Sequence, residues 1–303
     1  MKKEAPYHIK TVSEQHRILS LPMPQHPLVS VFNFEDMEYP ADEKYRCVTL
    51  DLYTISIKKE ADQKVKYGQS HYDFDEGVMS FIGPKQVISN ISEGHHPKGW
   101  CLVFHPDFLG KHPLAAKIKT YDFFGYAANE ALHLSEKEEE TILTIMQLLR
   151  TEINKSIDAY SESVLLSYID LILSYSDRFY HRQFLTRKAL SNDILAKFES
   201  LLSAYFSDHH THQLALPSVQ YFCDQLHISP NYLSNMLRSL TGKSTQQHMQ
   251  DMLIEKSKEL LTTTNLTVAE IAYLFGFGYP QSFNKLFKHK TNYTPLAYRK
   301  LFN

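Results

Sequence analysis

Val268-Ala269-Glu270-Ile271-Ala272-Tyr273-Leu274-Phe275-Gly276-Phe277, continued by Gly278-Tyr279-Pro280-Gln281-Ser282-Phe283, decides how this chain is read. Thr267 with Glu270 three residues later is a capping box, the signature of a helix start. Ile271 begins an apolar face, and Ala272 is small enough to let a second helix cross closely. Gly276-Phe277-Gly278 makes a turn that buries one aromatic. Pro280 then suits the first position of a new helix, where its missing N–H is an orphan in any case. Phe283, Leu286 and Phe287 recur at helical spacing, so the second helix is predicted over about 280–289.

The same pattern stands once before. Val219, Phe222, Cys223, Leu226 and Ile228 precede Val268, Ile271, Ala272, Phe275 and Phe277 by a constant 49 positions. After the turn Leu233, Met236 and Leu237 precede Phe283, Leu286 and Phe287 by 50, so the second turn holds one extra residue. Ser229-Pro230 opens the second helix of the first copy, predicted over 230–240, and Gly242 ends it in the left-handed conformation. Asn292 takes the place of Gly242, and Asn tolerates that conformation better than other non-glycine residues. Thr294-Pro295 starts a closing helix by the same chemistry as Ser229-Pro230. Two helix-turn-helix units with matched caps in one chain are suited to placing two helices in successive segments of a DNA major groove.

The outward positions of the two second helices fit that use. Asn and Gln pair with the N6 and N7 of adenine, Lys donates to guanine, and Ser is permissive. Base contacts are therefore assigned to Asn231, Ser234, Asn235, Gln281, Ser282 and Lys285. Tyr232, Arg238, Lys243, Tyr279, Lys288 and Lys290 are assigned to phosphates. Any exposed helix carries polar residues, but such a surface does not by itself explain why caps, turns and polar positions recur together.

Charge divides the chain. The whole sequence carries a net −2, yet residues 213–303 hold nine Lys or Arg against five Asp or Glu, leaving the remainder at −6. A basic end beside an acidic remainder is the expected footprint of phosphate binding at one end. The 303 residues allow two domains. Cys47, Cys101 and Cys223 form no CxxC pair, which points to buried, reduced thiols. Neither a secretory signal nor an apolar run of membrane-spanning length is present, so a cytoplasmic location without membrane contact is expected.

Upstream, short runs rich in β-branched and aromatic residues read as strands at 28–32, 47–57, 77–82, 86–89 and 99–104, suggesting a barrel or sandwich to about 110. Helices follow over about 135–183. Ser135 with Glu138 starts the first, on a face of Ile142, Ile145, Met146 and Leu149. Val164, Tyr168, Leu171, Ile172, Tyr175 and Phe179 mark the second, from about Ser161, with packing inside the monomer or on a second copy both open. A further helix from Ser191 to about Phe206 precedes a polar linker whose His209, His210 and His212 lack matching metal ligands. The domains are thus 1–185, then 186–212 as helix and linker, then 213–303.

The stretch 268–277, with Phe283, Phe287-Lys288 and Thr294-Pro295-Leu296-Ala297-Tyr298-Arg299-Lys300, closely resembles the AraC/XylS signature, over roughly 213–303. The resemblance implies a seven-helix domain in which a helix from about Ser244 to Leu261 joins the two units. It implies a transcription regulator on double-stranded DNA, an activator more often than not, for which RNA polymerase is a further partner. Cys223 and Asn292 replace the usual Ala and Gly, both sterically close. Ahead of such a domain the family often places a cupin-like β-barrel and a dimerising helix pair that sense a small molecule. The fold expected is therefore α+β: a cupin-like barrel with a helix pair, then an all-α domain.

Two rival readings compete with this one. A metal-dependent cupin enzyme needs clustered His and Glu, but Gly68 is followed by a lone His71 and then Glu76. Leu102 stands where a second motif wants His, and His105 falls three residues late. The pair His95-His96 reads as loop. No metal, cofactor or catalytic residue is therefore assigned, and ligand-binding residues stay unassigned, with Tyr53, Phe81 and Phe104 fitting a pocket lining or a packed core equally. The other rival is a protein-interaction module built from the helical repeat.

Overall fold

From Tyr53 to Lys59 polar and apolar residues largely alternate, and one strand, β4 in chain order, spans that stretch. The computed structural model describes residues 6–38, 40, 42–45, 47–59, 77–89, 98–126, 130–156, 158–186, 188–207 and 217–302. It is α+β and divides into two units, Met1–Gln183 and Phe184–Asn303.

In the first unit, β2 (Val29–Asn33), β7 (Lys98–Phe104), β4 (Tyr53–Lys59), β5 (Val78–Ile82) and β8 (Leu132–His133) form a five-stranded antiparallel sheet in that order. A second sheet has β1 (Tyr7–Ile9) parallel to β3 (Cys47–Leu50), which pairs with the antiparallel β6 (Val87–Ser89). Among the described residues these ladders do not close into the expected barrel. The run 47–57 is two strands, broken at Asp51-Leu52, and each half joins a different sheet. Local pattern had not marked β1, β8 or the short helix α1 (Val12–Ile18), whose Thr11 cap accepts from Glu14 N.

Directly opposed residues of an antiparallel pair share a face. Ile55 opposes Phe81 and Leu102, and Tyr53 opposes Phe104, so these lie on one face. That face carries an aromatic cluster in which Phe81 stands 4.5 Å from Phe123, and Phe123 stacks at 5.6 Å on Tyr180. Tyr53, Phe81 and Phe104 therefore belong to packed core. The opposite face, with Thr54, Ser56, Ser80 and Cys101, looks toward the three-stranded sheet across a cavity.

After the short α2 (Leu114–Lys117), α3 (Glu136–Ile153) starts on the predicted Ser135/Glu138 box and buries Ile142, Ile145, Met146 and Leu149. α4 (Ser161–Thr186) buries Leu165, Ile169, Ile172, Leu173 and Phe179, a stripe rotated from the predicted one. Its apolar residues run nearly all round, so period alone did not pick the face. Val164, Tyr168 and Tyr175 stay half-exposed and Leu171 is exposed. Arg182 ties the two helices by donating to Glu138.

His105 caps a short 3₁₀ turn by accepting from Asp107 N, and Leu102 is core. Gly68, His71, Glu76, His95, His96, His209, His210 and His212 lie outside the described residues. Among the described residues no cluster of His, Cys, Asp or Glu is arranged to hold a metal, and no helix is long and apolar enough to cross a membrane. Cys101 and Cys223 are buried and Cys47 half-buried; burial pushes the Cys101 thiol up to about 12.

The second unit is helical. Among the described residues six helices lie beyond residue 213: α6 (Val219–Leu226), α7 (Pro230–Thr241), α8 (Thr245–Thr263), α9 (Val268–Leu274), α10 (Pro280–Thr291) and α11 (Pro295–Arg299). The seventh is α5 (Lys188–Ser207), whose Phe198 and Phe206 lie edge-on or tilted against Phe222 and Phe275.

Candidate nucleic-acid interface

The repeat is carried into three dimensions by its backbone polar groups. Ser218 and Thr267 cap α6 and α9 by accepting from Tyr221 N and Glu270 N. At the turns, Ile228 N donates to Cys223 O at 3.1 Å and Phe277 N to Ala272 O at 3.0 Å, the same six-residue closure 49 positions apart. The hydroxyls of Thr241 and Thr291 donate to Leu237 O and Phe287 O, and accept from Lys243 N and Tyr293 N, each at 3.2 Å. Gly242 and Asn292 are left-handed as expected, at φ 76° and 65°.

Two details break the symmetry. His227 sits left-handed at φ 55° where the second copy has Gly276 at φ 76°. The second helices are not capped alike: Ser229 accepts from Tyr232 N, whereas Tyr279 makes no side-chain cap. Gly278 occupies the longer second turn with open space around its α-carbon, so the extra residue is accommodated without crowding.

Phe222, Leu233, Met236, Leu237, Phe283 and Phe287 are buried, which fixes the outward faces of α7 and α10. Asn231, Gln281, Ser282 and Lys285 are exposed; Ser234 and Asn235 are half-buried. Arg238 Nη1 donates to Asn235 Oδ1 at 2.9 Å, so this predicted phosphate contact also orients a predicted base contact. Lys288 and Tyr279 are exposed, Tyr279 by 73%. Tyr232 departs from its assignment: only 8% exposed, its ring stands edge-on to Phe184 at 5.2 Å and belongs to the core.

Lys243 and Lys290 converge on a residue that sequence reasoning missed. Asp251, on α8, accepts from Lys243 Nζ at 2.7 Å and from Lys290 Nζ at 2.8 Å. Burial raises the Asp251 carboxyl, but the two ammonium donors outweigh it and hold it below the usual carboxylate range. No local motif marks this carboxylate, since its partners lie 8 and 39 residues away. Nearby, Thr241 spends its proton on Leu237 O, so His248 Nε2 donates to it at 2.8 Å, and burial with Lys243 close by depresses the His248 pKa. Arg299, also unassigned from sequence as a structural tie, donates to Leu261 O and Leu266 O, closing α11 over the carboxy-terminal end of α8.

The second unit is thus a double helix-turn-helix domain, and residues 222–301 match a family model described as a helix-turn-helix domain. It is a helix-turn-helix domain of the AraC/XylS type. The chain is 30% identical over 119 residues to the HTH-type transcriptional activator RhaS of Salmonella paratyphi B, which covers 39% of this chain and 41% of RhaS. It is 28% identical over 82 residues, 27% of this chain and 6% of the relative, to histidine kinase P4 of Formosa agariphila. The chain therefore spans less than half the length of either relative. Among solved structures, the carboxy-terminal domain of the response regulator yesN from Fusobacterium nucleatum is similar at 29% identity and a TM-score of 0.29, covering 33% of this chain and 96% of that one.

Proposed function

We propose that the protein is a sequence-specific DNA-binding transcription regulator that sets α7 and α10 into two successive major-groove segments. The observation that carries this reading is the recurrence, at a shift of 49 to 50 residues, of the same turn closure and the same Thr-centred helix end. The two copies present their second helices as equivalent, outward-facing rods. Asn231, Ser234 and Asn235 read one segment; Gln281, Ser282 and Lys285 read the other. Arg238, Lys243, Tyr279, Lys288 and Lys290 meet phosphates.

The amino-terminal unit, cupin-like in role, controls the DNA-binding unit by dimerisation and by a small-molecule effector. Val164, Tyr168, Leu171 and Tyr175 lie outside the α4 core stripe at the 4-3-4 spacing of a coiled-coil seam, which supports pairing with a second copy. Activation through RNA polymerase is the expected sign, in keeping with the activator among the relatives. Selection of duplexes from a random pool by the full chain, followed by anisotropy titration of the winner, tests the reading. A strong preference that weakens steeply with salt is expected; binding indifferent to both sequence and salt contradicts it.

A further inference from the structure

Between the three-stranded sheet and the facing side of β4 and β5 lies a cavity of about 150 Å³. Most of its wall is apolar, including Phe32, Val48, Leu50 and Ile88. One side differs. Thr54, Ser56 and Lys58 project from alternate positions of β4, and Ser80 stands opposite Ser56, their hydroxyls 2.6 Å apart. Thr54 and Gln15 are 7% and 8% exposed, and Thr54 Oγ1 and Gln15 Oε1 have no hydrogen-bond partner among the described residues.

An unsatisfied buried polar atom costs about 1–3 kcal/mol, so two lining one cavity, Gln15 from α1 and Thr54 from β4, call for an absent partner. An apolar cavity of this size stays dry and accepts a benzene-sized molecule. Here a body of that size would meet the apolar wall on one side and orphan polar atoms on the other. Among the described residues Lys58 supplies the one formal charge on the lining. Its ammonium stands 5.7 Å over the Phe34 ring, and no carboxylate pairs with it among the described residues. Lys58 is exposed as a residue, which places it at the rim of the cavity, while burial of its ammonium lowers its pKa. Four residues of strand separate the α-carbons of Thr54 and Lys58 by about 13 Å, a gap the flexible lysine stem shortens.

We infer that this cavity binds a compact, largely apolar organic acid with a hydroxyl: the hydroxyl meets Thr54 Oγ1 and Gln15 Oε1, and the carboxylate meets Lys58 at the mouth. A hydroxyl donates its one proton to the Gln15 carbonyl while accepting from Thr54, which satisfies both orphans together. The assignment deepens the effector role proposed above, and rests on that role for its consequence on DNA alone.

Calorimetric titration of the full chain without DNA tests it, using 4-hydroxyphenylacetate, phenylacetate and 4-hydroxyphenylacetamide. The hydroxy acid binds, and the other two bind at least tenfold more weakly. Lys58→Met removes the preference for acid over amide, and Thr54→Val removes the preference for the hydroxyl, each with the wild-type melting profile; should Lys58→Met not fold, Lys58→Gln takes its place. No heat with any probe, or equal binding of acid and amide by the wild type, overturns the assignment. Hydroxy-acid binding that leaves DNA affinity unchanged upholds the cavity and overturns only the effector role.

Discussion

Lys290, next to last in α10, donates to Asp251 in the middle of α8, and Lys243, just past the end of α7, donates to the same carboxylate. One acidic side chain thereby joins the ends of both proposed reading helices to the helix between them. Removing the charge while keeping the shape, by Asp251→Asn, is expected to lower stability by about 1 kcal/mol at low salt, as suits two partly exposed pairs, and by less in 1 M salt. Because the folded carboxyl titrates below its unfolded value, the contribution is present above the ordinary Asp range and lost as pH falls through the folded pKa. Urea unfolding of both proteins at two salt concentrations and across acid pH reads this out.

Arg238 holds Asn235 by a hydrogen bond, so its removal has two consequences. Arg238→Ala is expected to lower the salt slope of DNA binding by about one and to relax discrimination at the base read by Asn235. Lys285→Ala costs about 1–3 kcal/mol and relaxes a different position. Competition titrations against single-base variants of the selected site separate the two patterns.

The first turn spends a left-handed histidine where the second uses glycine. His227→Gly is expected to stabilise the protein by up to about 1 kcal/mol, and Asn292→Ala to destabilise it by about 1 kcal/mol, because only the former relieves a side chain at positive φ. Thermal unfolding monitored by circular dichroism gives both signs.

In the first unit, buried His16 donates from Nδ1 to Pro22 O at 2.6 Å, and its Nε2 lies 2.9 Å from Ser30 Oγ, which donates to it when the ring is neutral. Burial lowers its pKa despite the Pro22 carbonyl. A depressed histidine pKa means that stability is fully present above the unfolded value and is lost as pH falls from about 6.5 toward the folded pKa. The urea midpoint should therefore drop between pH 7.5 and pH 5.5, and His16→Gln should flatten that drop.

The carboxy-terminal half was readable because its signals are local. Ser229, Thr267 and Thr294 cap helices within three residues of themselves, and period 3.6 placed Phe283 and Phe287 inward. What escaped depends on distant partners: Asp251, the Arg299 tie, and α5 as the helix that completes this domain. In the amino-terminal half, period 2 showed that Tyr53, Phe81 and Phe104 repeat on strand faces, but not which face the helices would cover. The break at Asp51-Leu52 was likewise hidden, since Cys47 to Ile57 is uniformly strand-like while its two halves pair with different sheets.

Methylation interference on the selected duplex tests the central claim most directly. With the wild-type chain, two patches of major-groove interference about 10 base pairs apart are predicted, with Asn235→Ala erasing contacts in one and Lys285→Ala in the other. A single patch, or loss of the same contacts in both variants, would contradict the reading of two segments by two helices.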